Sequence, residues 1–213
     1  MLKFGPLMFE YLRKFIHFFG GLLIVLIYTL LLNFTSAKIA IWSLTLLLLL
    51  LLEIEYVRLE HRSRIVAMFD ILFRKHEKDN IAGAVFFVIS CIICFAVFDY
   101  WIAVIAMFMT VFGDMAAAIV GKTFGKMRIL KKKTWVGTLS CFAANSFVGM
   151  LILAPLYYVI LPMAIVATVV ELLTHKLDDN LTVPLFSGFL GQMIVYFMQI
   201  ELPPMEFGFW GIF

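Results

Sequence analysis

Long uninterrupted apolar runs dominate the hydropathy pattern of this chain. The segment 15–34 carries no charged side chain apart from His17, and 39–52 includes seven consecutive leucines. A bilayer core is crossed by about 20 apolar helical residues, with about 17 at the short end. Membrane β-strands instead alternate apolar and polar residues over about ten positions, and an unbroken leucine run does not alternate. The pattern therefore predicts transmembrane helices.

Seven segments are apolar enough to be predicted as membrane spans. The third and fourth meet at Asp99-Tyr100 and the fifth and sixth meet near Pro155, so these two tight hairpins leave six or eight spans as alternatives. No segment remains for a separate soluble domain. The predicted fold class is an all-α polytopic transmembrane helix bundle, formed by a single domain over 1–213. The predicted spans are 15–34, 37–53, 82–98, 100–121, 138–154, 156–173 and 182–200.

The charged residues are distributed asymmetrically about these spans. The chain is 64% hydrophobic, whereas a soluble domain is nearer half apolar. With the N-terminus in the cytoplasm, the inner segments contain 16 of the 17 lysine and arginine residues, and only Lys38 lies outside. The positive-inside rule therefore predicts a cytoplasmic N-terminus and a basic cytoplasmic face. Such a face attracts anionic lipid headgroups or a phosphorylated substrate. The inner segments are 1–14, 54–81, 122–137 and 174–181.

The strongest candidate chemistry lies at the end of the fourth span. Asp114 comes shortly before the cytoplasmic exit, and small residues lead from it into a basic loop. Glycines allow backbone amides to approach a ligand, and amides together with lysines suit a polyphosphate. A carboxylate ahead of such a loop suits Mg²⁺ bridged to phosphates, or a base for an attacking hydroxyl. The Walker A spacing is absent, and a loop that only anchors the topology is the alternative. The candidate phosphate-binding residues of the loop are Gly121, Gly125, Lys126, Lys131, Lys132, Lys133, Thr134 and Gly137.

This segment resembles the nucleotide-binding signature of the polyprenol kinase family. The family groups dolichol kinases, phytol kinases and CTP-dependent diacylglycerol kinases, which are membrane proteins that phosphorylate a lipid alcohol. Two further segments resemble its N-terminal motif and its late acidic motif. The chain lacks the long N-terminal membrane extension of the larger dolichol kinases, which makes dolichol a less expected acceptor. The matching residues are Asp114, Ala117, Gly121, Gly125, Lys132, Lys133, Thr134 and Gly137; Glu10, Arg13, Lys14, His17 and Gly20; and Glu171, Asp178, Asp179, Asn180 and Pro184.

The resemblance and the predicted topology together suggest a role for each polar segment. All of these segments enter or leave the membrane on the cytoplasmic side, so they can meet at one site. Polar residues inside spans are costly, which makes each of them a functional candidate. Asp114, His17 and Arg13 are the candidate catalytic residues, and Lys14 joins the loop as a nucleotide-binding residue. The candidate Mg²⁺ ligands are Asp114, Glu171, Asp179 and Asn180. Asn145, within the fifth span, is interpreted as a bond between helices.

The residues and the resemblance together predict a lipid kinase that uses Mg²⁺, and the resemblance alone implies CTP as its phosphate donor. The acceptor is a membrane lipid alcohol, either diacylglycerol or an isoprenoid alcohol such as phytol or a polyprenol. The alternatives are a cytidylyltransferase that acts on phosphatidate, whose expected signature is absent, and a transporter of anions or phosphorylated solutes. The bilayer is an expected partner and nucleic acid is not. The oligomeric state stays open, homo-oligomers included. The expected location is the plasma membrane in a prokaryote or the endoplasmic reticulum in a eukaryote.

Overall fold

The computed structural model describes residues 6–61, 81–130, 133–174 and 177–204. Seven α-helices account for most of these residues, which confirms the all-α class of the bundle. For residues 6–10 and His61, the structure describes the backbone and not the side chains. The helices are α1 (Pro6–Phe34), α2 (Ala37–His61), α3 (Gly83–Val97), α4 (Tyr100–Phe124), α5 (Trp135–Leu153), α6 (Tyr157–Leu173) and α7 (Asp179–Met198).

Each predicted span corresponds to one helix, and both tight hairpins occur where the sequence places them. Five helices are long and apolar enough to cross a membrane, namely α1, α2, α4, α5 and α7. The other two, α3 and α6, are apolar but shorter, with 15 and 17 residues. Several helices extend past the predicted spans, since α1 begins at Pro6 and α2 ends at His61. A helix satisfies its own backbone hydrogen bonds, so it can continue beyond the apolar region into the charged interface.

The fourth helix is the centre of the bundle. In α4, 56% of the most apolar segment is buried inside the bundle, against 17% in α1 and 11% in α2. The α4 helix packs against α1, α5, α6 and α7, and its buried stretch 102–107 lies in the core. Large apolar side chains such as Trp42, Leu50 and Phe147 are exposed on the outer helices. These exposed apolar surfaces suit a protein whose outer solvent is lipid.

A short antiparallel ribbon joins α4 to α5 and was not predicted. Its strands are β1 (Arg128–Leu130) and β2 (Lys133–Thr134), with Arg128 opposite Thr134. The backbone N–H of Trp135 donates to the carbonyl oxygen of Met127 at 3.2 Å, which closes the ribbon where α5 begins. The ribbon adds two strands to an otherwise helical fold, and it turns the basic loop back against the end of the bundle.

Candidate functional site

Charged side chains of α1 and α4 meet at the end of the bundle where α4 finishes. Lys14 donates to both carboxylate oxygens of Asp114, although the two residues are 100 positions apart. The side chains retain only 10% and 16% of their exposure, so this ion pair is largely withdrawn from water. A charge is rarely buried without a partner. The pairing therefore links the N-terminal motif directly to the carboxylate of the glycine-rich signature.

A second ion pair joins the ribbon to α6. Lys133 Nζ lies 2.9 Å from Glu171 Oε1, and Glu171 is buried. Lys133 can reach this carboxylate because the ribbon places β2 next to the end of α6. Two lysines from distant segments therefore neutralise two carboxylates at the same end of the bundle.

A hydrogen-bond chain connects α1 to the start of α7. Asp178 Oδ1 accepts from the backbone N–H of Asn180 at 2.9 Å and from its Nδ2 at 2.7 Å. A carboxylate only accepts hydrogen bonds, so the Nδ2 group of Asn180 faces Asp178 and its Oδ1 faces His17. His17 Nε2 lies 2.8 Å from that oxygen and is therefore the donor. Asp178 also caps α7, a role that the sequence analysis did not assign to it.

Three carboxylates line one small cavity between α4, α5, α6 and α7. Asp114, Glu171 and Asp179 contribute to its wall together with Asn145 and Cys141. The volume is about 10 Å³, which is room for about one water molecule or a bare ion. The cavity thus brings together three of the four predicted Mg²⁺ ligands. The fourth, Asn180, has its amide oxygen hydrogen-bonded to His17.

The donor set suits a hard cation that shares its coordination with a substrate. Within the described ranges, no three His, Cys, Asp or Glu side chains are close enough to hold a metal ion by themselves. Mg²⁺ usually takes one or two protein carboxylates and completes its shell with phosphate oxygens and water. Asp114, Asp179 and Glu171 therefore fit a Mg²⁺ that arrives with a polyphosphate, rather than one held permanently in a protein cage.

The signature glycines hold the basic loop against the bundle. A Cβ built on Gly121 would lie 3.2 Å from the Cα of Gly137, so α4 and α5 approach backbone to backbone. Thr134 Oγ1 accepts from the N–H of Gly137 at 3.2 Å and caps α5. A Cβ on Gly125 would meet the carbonyl oxygen of Gly121 and, at 2.5 Å, Thr134 Oγ1. This packing fixes the position of Lys133, and direct contact of these residues with phosphate stays a prediction.

The remaining predicted site residues lie outside the contacts described above or outside the described part of the chain. Arg13 is half-buried on α1, and Lys126 is exposed between α4 and β1. Lys131 and Lys132, both predicted to bind nucleotide, lie outside the described residues. The side chain of Glu10 also lies outside them.

Replacing Lys133 by Met is expected to lower the free energy of unfolding by about 1–3 kcal/mol, because it leaves the buried Glu171 carboxylate without its cation. Thermal unfolding of the purified protein in detergent measures the loss. Lys126→Met makes the same change at an exposed loop position and is expected to leave the unfolding temperature nearly unchanged. Equal shifts in the two variants would show that the ion pair with Glu171 contributes nothing to stability.

Curated proteins with similar sequences are phytol kinases. Phytol kinase 1, chloroplastic, from Arabidopsis thaliana is 28% identical over 197 residues, covering 81% of this chain and 62% of that protein. A probable chloroplastic phytol kinase from Zea mays is 28% identical over 194 residues, covering 81% of this chain and 63% of its own. This chain is similar to phytol kinases over most of its length.

The relationship to phytol kinases confirms the family resemblance derived from the motifs. A probable phytol kinase from Triticum aestivum is 30% identical over 128 residues, covering 51% of this chain and 43% of that protein. The chain spans about three fifths of the length of its Arabidopsis and maize relatives. No family model matches this chain. No solved structure matches it either.

Proposed function

We propose that this protein is a membrane kinase that transfers the γ-phosphate of CTP to a lipid alcohol. The observation that carries the proposal is the meeting of Asp114, Glu171 and Asp179 with Lys14 and Lys133 at one end of an apolar bundle. Relatives named phytol kinases support the same chemistry. A purely structural bundle would not require this paired arrangement of buried charges.

The lysines of the two ion pairs can exchange their carboxylate partners for the phosphates of a nucleotide. Breaking a buried pair is costly when one charge remains alone. Lys14 and Lys133 can turn from carboxylates to phosphate oxygens only if the carboxylates receive a positive charge in return. Mg²⁺, when bound with the triphosphate, would supply that charge, and Asp114, Glu171 and Asp179 are the residues that would hold it. Phosphoryl transfer then depends mainly on positioning and charge stabilisation.

In the proposed reaction, His17 orients the acceptor alcohol. Its Nε2–H donates to Asn180, which in turn is held by Asp178. The ring also contacts Phe87 edge to face, with centroids 5.8 Å apart, which limits its rotation. A neutral His17 therefore keeps Nδ1 as a hydrogen-bond acceptor for a hydroxyl group. Arg13 lies one turn earlier on α1 and can contribute charge toward the phosphates.

The identity of donor, acceptor and membrane completes the proposal. The preference for CTP follows from the resemblance to the polyprenol kinase family. Relatives named phytol kinases favour an isoprenoid alcohol such as phytol over diacylglycerol. The basic segments favour a site on the cytoplasmic face of the membrane or its organellar equivalent.

Transfer of label from the γ-phosphate tests the kinase directly. The purified protein in detergent is incubated with Mg²⁺, with γ-labelled CTP, UTP or ATP, and with phytol, farnesol, a polyprenol or diacylglycerol. We expect label in a lipid phosphate, with CTP the best donor and an isoprenoid alcohol the best acceptor. A folded protein that transfers label from no nucleotide to any of these alcohols would contradict the proposal.

The same preparation distinguishes the alternatives. A cytidylyltransferase would release pyrophosphate and leave a CDP-lipid when given phosphatidate, whereas a kinase leaves CDP and a lipid phosphate. A transporter would move a phosphorylated solute into empty proteoliposomes without changing it. Either result, in the absence of label transfer to an alcohol, would replace the kinase.

A further inference from the structure

Asn145 belongs to the wall of the carboxylate cavity. This residue of α5 is fully buried and lines the cavity together with Asp114, Glu171 and Asp179. An amide at such a position is commonly explained as a hydrogen bond between helices. The hydrogen bonds around it involve the amide nitrogen and leave the amide oxygen without a partner.

The neighbours of Asn145 decide which way the amide faces. Thr168 Oγ1 donates its only proton to the carbonyl oxygen of Ala164 at 2.7 Å. It can therefore only accept from Asn145, whose Nδ2 lies 3.3 Å away. Nδ2 also points to the sulfur of Cys141 at 3.6 Å. The link between α5 and α6 thus uses the nitrogen, and the oxygen is directed elsewhere.

The amide oxygen has no protein donor although it is enclosed. Asn145 Oδ1 and Ser146 Oγ are the buried side-chain oxygen or nitrogen atoms that lack a hydrogen-bond partner within the described ranges. A Cβ built on Gly113 would lie 2.5 Å from this Oδ1, so a glycine immediately before Asp114 makes room for it. Buried polar atoms are nearly always satisfied, and an unsatisfied one requires an explanation.

We infer that Asn145 Oδ1 is a ligand of the divalent cation used in the proposed kinase reaction. The inference rests on that proposed function and adds a residue to its site. The residues lining the cavity include three carboxylates and the Asn145 amide, whose oxygens all offer lone pairs. Hard divalent cations take such oxygen sets, amide oxygens of Asn included. A cation in the cavity satisfies the oxygen that no protein donor reaches.

A purely structural role predicts different chemistry at this position. The helix link needs only the Nδ2–H group and the Thr168 oxygen. If that link were the whole function, the affinity for a cation would be independent of the oxygen. Ser146 offers the matched comparison, because it is adjacent, its Oγ is equally unsatisfied in the described structure, and it does not line the cavity.

Mn²⁺ binding, measured by electron paramagnetic resonance in the presence of inorganic triphosphate and without lipid, tests the assignment. The whole chain in detergent is titrated for wild type, Asn145→Leu, Asn145→Asp, Thr168→Val and Ser146→Ala. We expect Asn145→Leu to weaken binding about tenfold or more, which is the scale of losses at metal-site residues. Asn145→Asp is expected to retain or strengthen binding, and Thr168→Val and Ser146→Ala to stay within about twofold of wild type. Unchanged affinity in Asn145→Leu, or no saturable Mn²⁺ binding by wild type, would overturn the inference.

Two controls separate folding and catalysis from metal binding. Thermal unfolding in EDTA should show Asn145→Leu at least as stable as Thr168→Val, with the stabilisation by Mn²⁺ lost only in the former. If Asn145→Leu does not fold, weaker Mn²⁺ binding by Asn145→Asp than by wild type overturns the inference. Label transfer from γ-labelled CTP is measured separately. If wild type transfers label and Asn145→Leu binds Mn²⁺ with unaltered affinity, the ligand role of Asn145 is overturned and the kinase function stands. If Asn145→Leu loses Mn²⁺ binding and wild type transfers no label, the ligand role is supported and the kinase function is overturned.

Discussion

Replacing Asp114 by Asn is expected to lower the rate of γ-phosphate transfer by at least about 100-fold. The substitution keeps the size of the side chain and removes its charge. The ion pair with Lys14 is lost, and with it the carboxylate that would hold the cation next to the phosphates. The measurement is the initial rate of label transfer by purified protein at saturating nucleotide and lipid alcohol.

The same change at the other end of α4 provides the control. Asp99 precedes α4 and accepts from Gln192 Nε2 at 2.8 Å, far from the cavity. Asp99→Asn is expected to keep the wild-type rate within about twofold, since surface changes of this kind seldom alter stability much. Near-normal turnover in Asp114→Asn would exclude both proposed roles of this carboxylate, namely holding the cation and activating the hydroxyl.

Replacing Gly125 by Ala is expected to lower the free energy of unfolding by about 2 kcal/mol and the transfer rate by about tenfold. A Cβ at this position would collide with the carbonyl oxygen of Gly121 and with Thr134. The backbone must shift to relieve these contacts. The cap of α5 would then be disturbed, and Lys133 would move from Glu171. Thermal unfolding and the transfer rate of the purified variant measure both effects.

Gly20 is the matched control, because it also belongs to a motif that resembles the family. A Cβ built on Gly20 meets nothing within 4 Å. Since Gly20 lies inside α1, Gly20→Ala is expected to stabilise the protein by about 0.5–1 kcal/mol through helix propensity. If both variants behave alike, close packing of the loop is not the reason for glycine at position 125.

The helical architecture follows from sequence with few ambiguities. Apolar runs as long as a bilayer core leave no alternative to transmembrane helices, since every backbone group in lipid must be hydrogen-bonded within its own segment. The interruptions near Asp99 and Pro155 are local features, and the hairpins occur there. Helix ends are harder to place, because a helix can continue past the apolar region into the interface, as α1 does from Pro6.

The candidate site could be predicted only in part. Asp114, Glu171, Lys14 and His17 were identified because charged or ionisable residues near apolar spans are rare and costly. The predicted bond of Asn145 between helices is confirmed by its contact with Thr168. Its place in the cavity wall was not predicted, since a neutral amide in a span has the same local pattern whether or not it lines a cavity. The role of Asp178 was missed for a similar reason, because a cap and a solvated turn residue look alike in sequence.

The sequence by itself determined that this chain is a helical membrane protein and which polar residues belong to its motifs. Both properties depend on local composition and spacing. Only the tertiary structure decided that Lys14 pairs with Asp114 and Lys133 with Glu171. It also decided that Asn145 lines the carboxylate cavity and that its amide oxygen has no hydrogen-bond partner among the described residues. These contacts depend on how helices distant in sequence pack together, and the periodicity of one helix contains no information about the register of its neighbours.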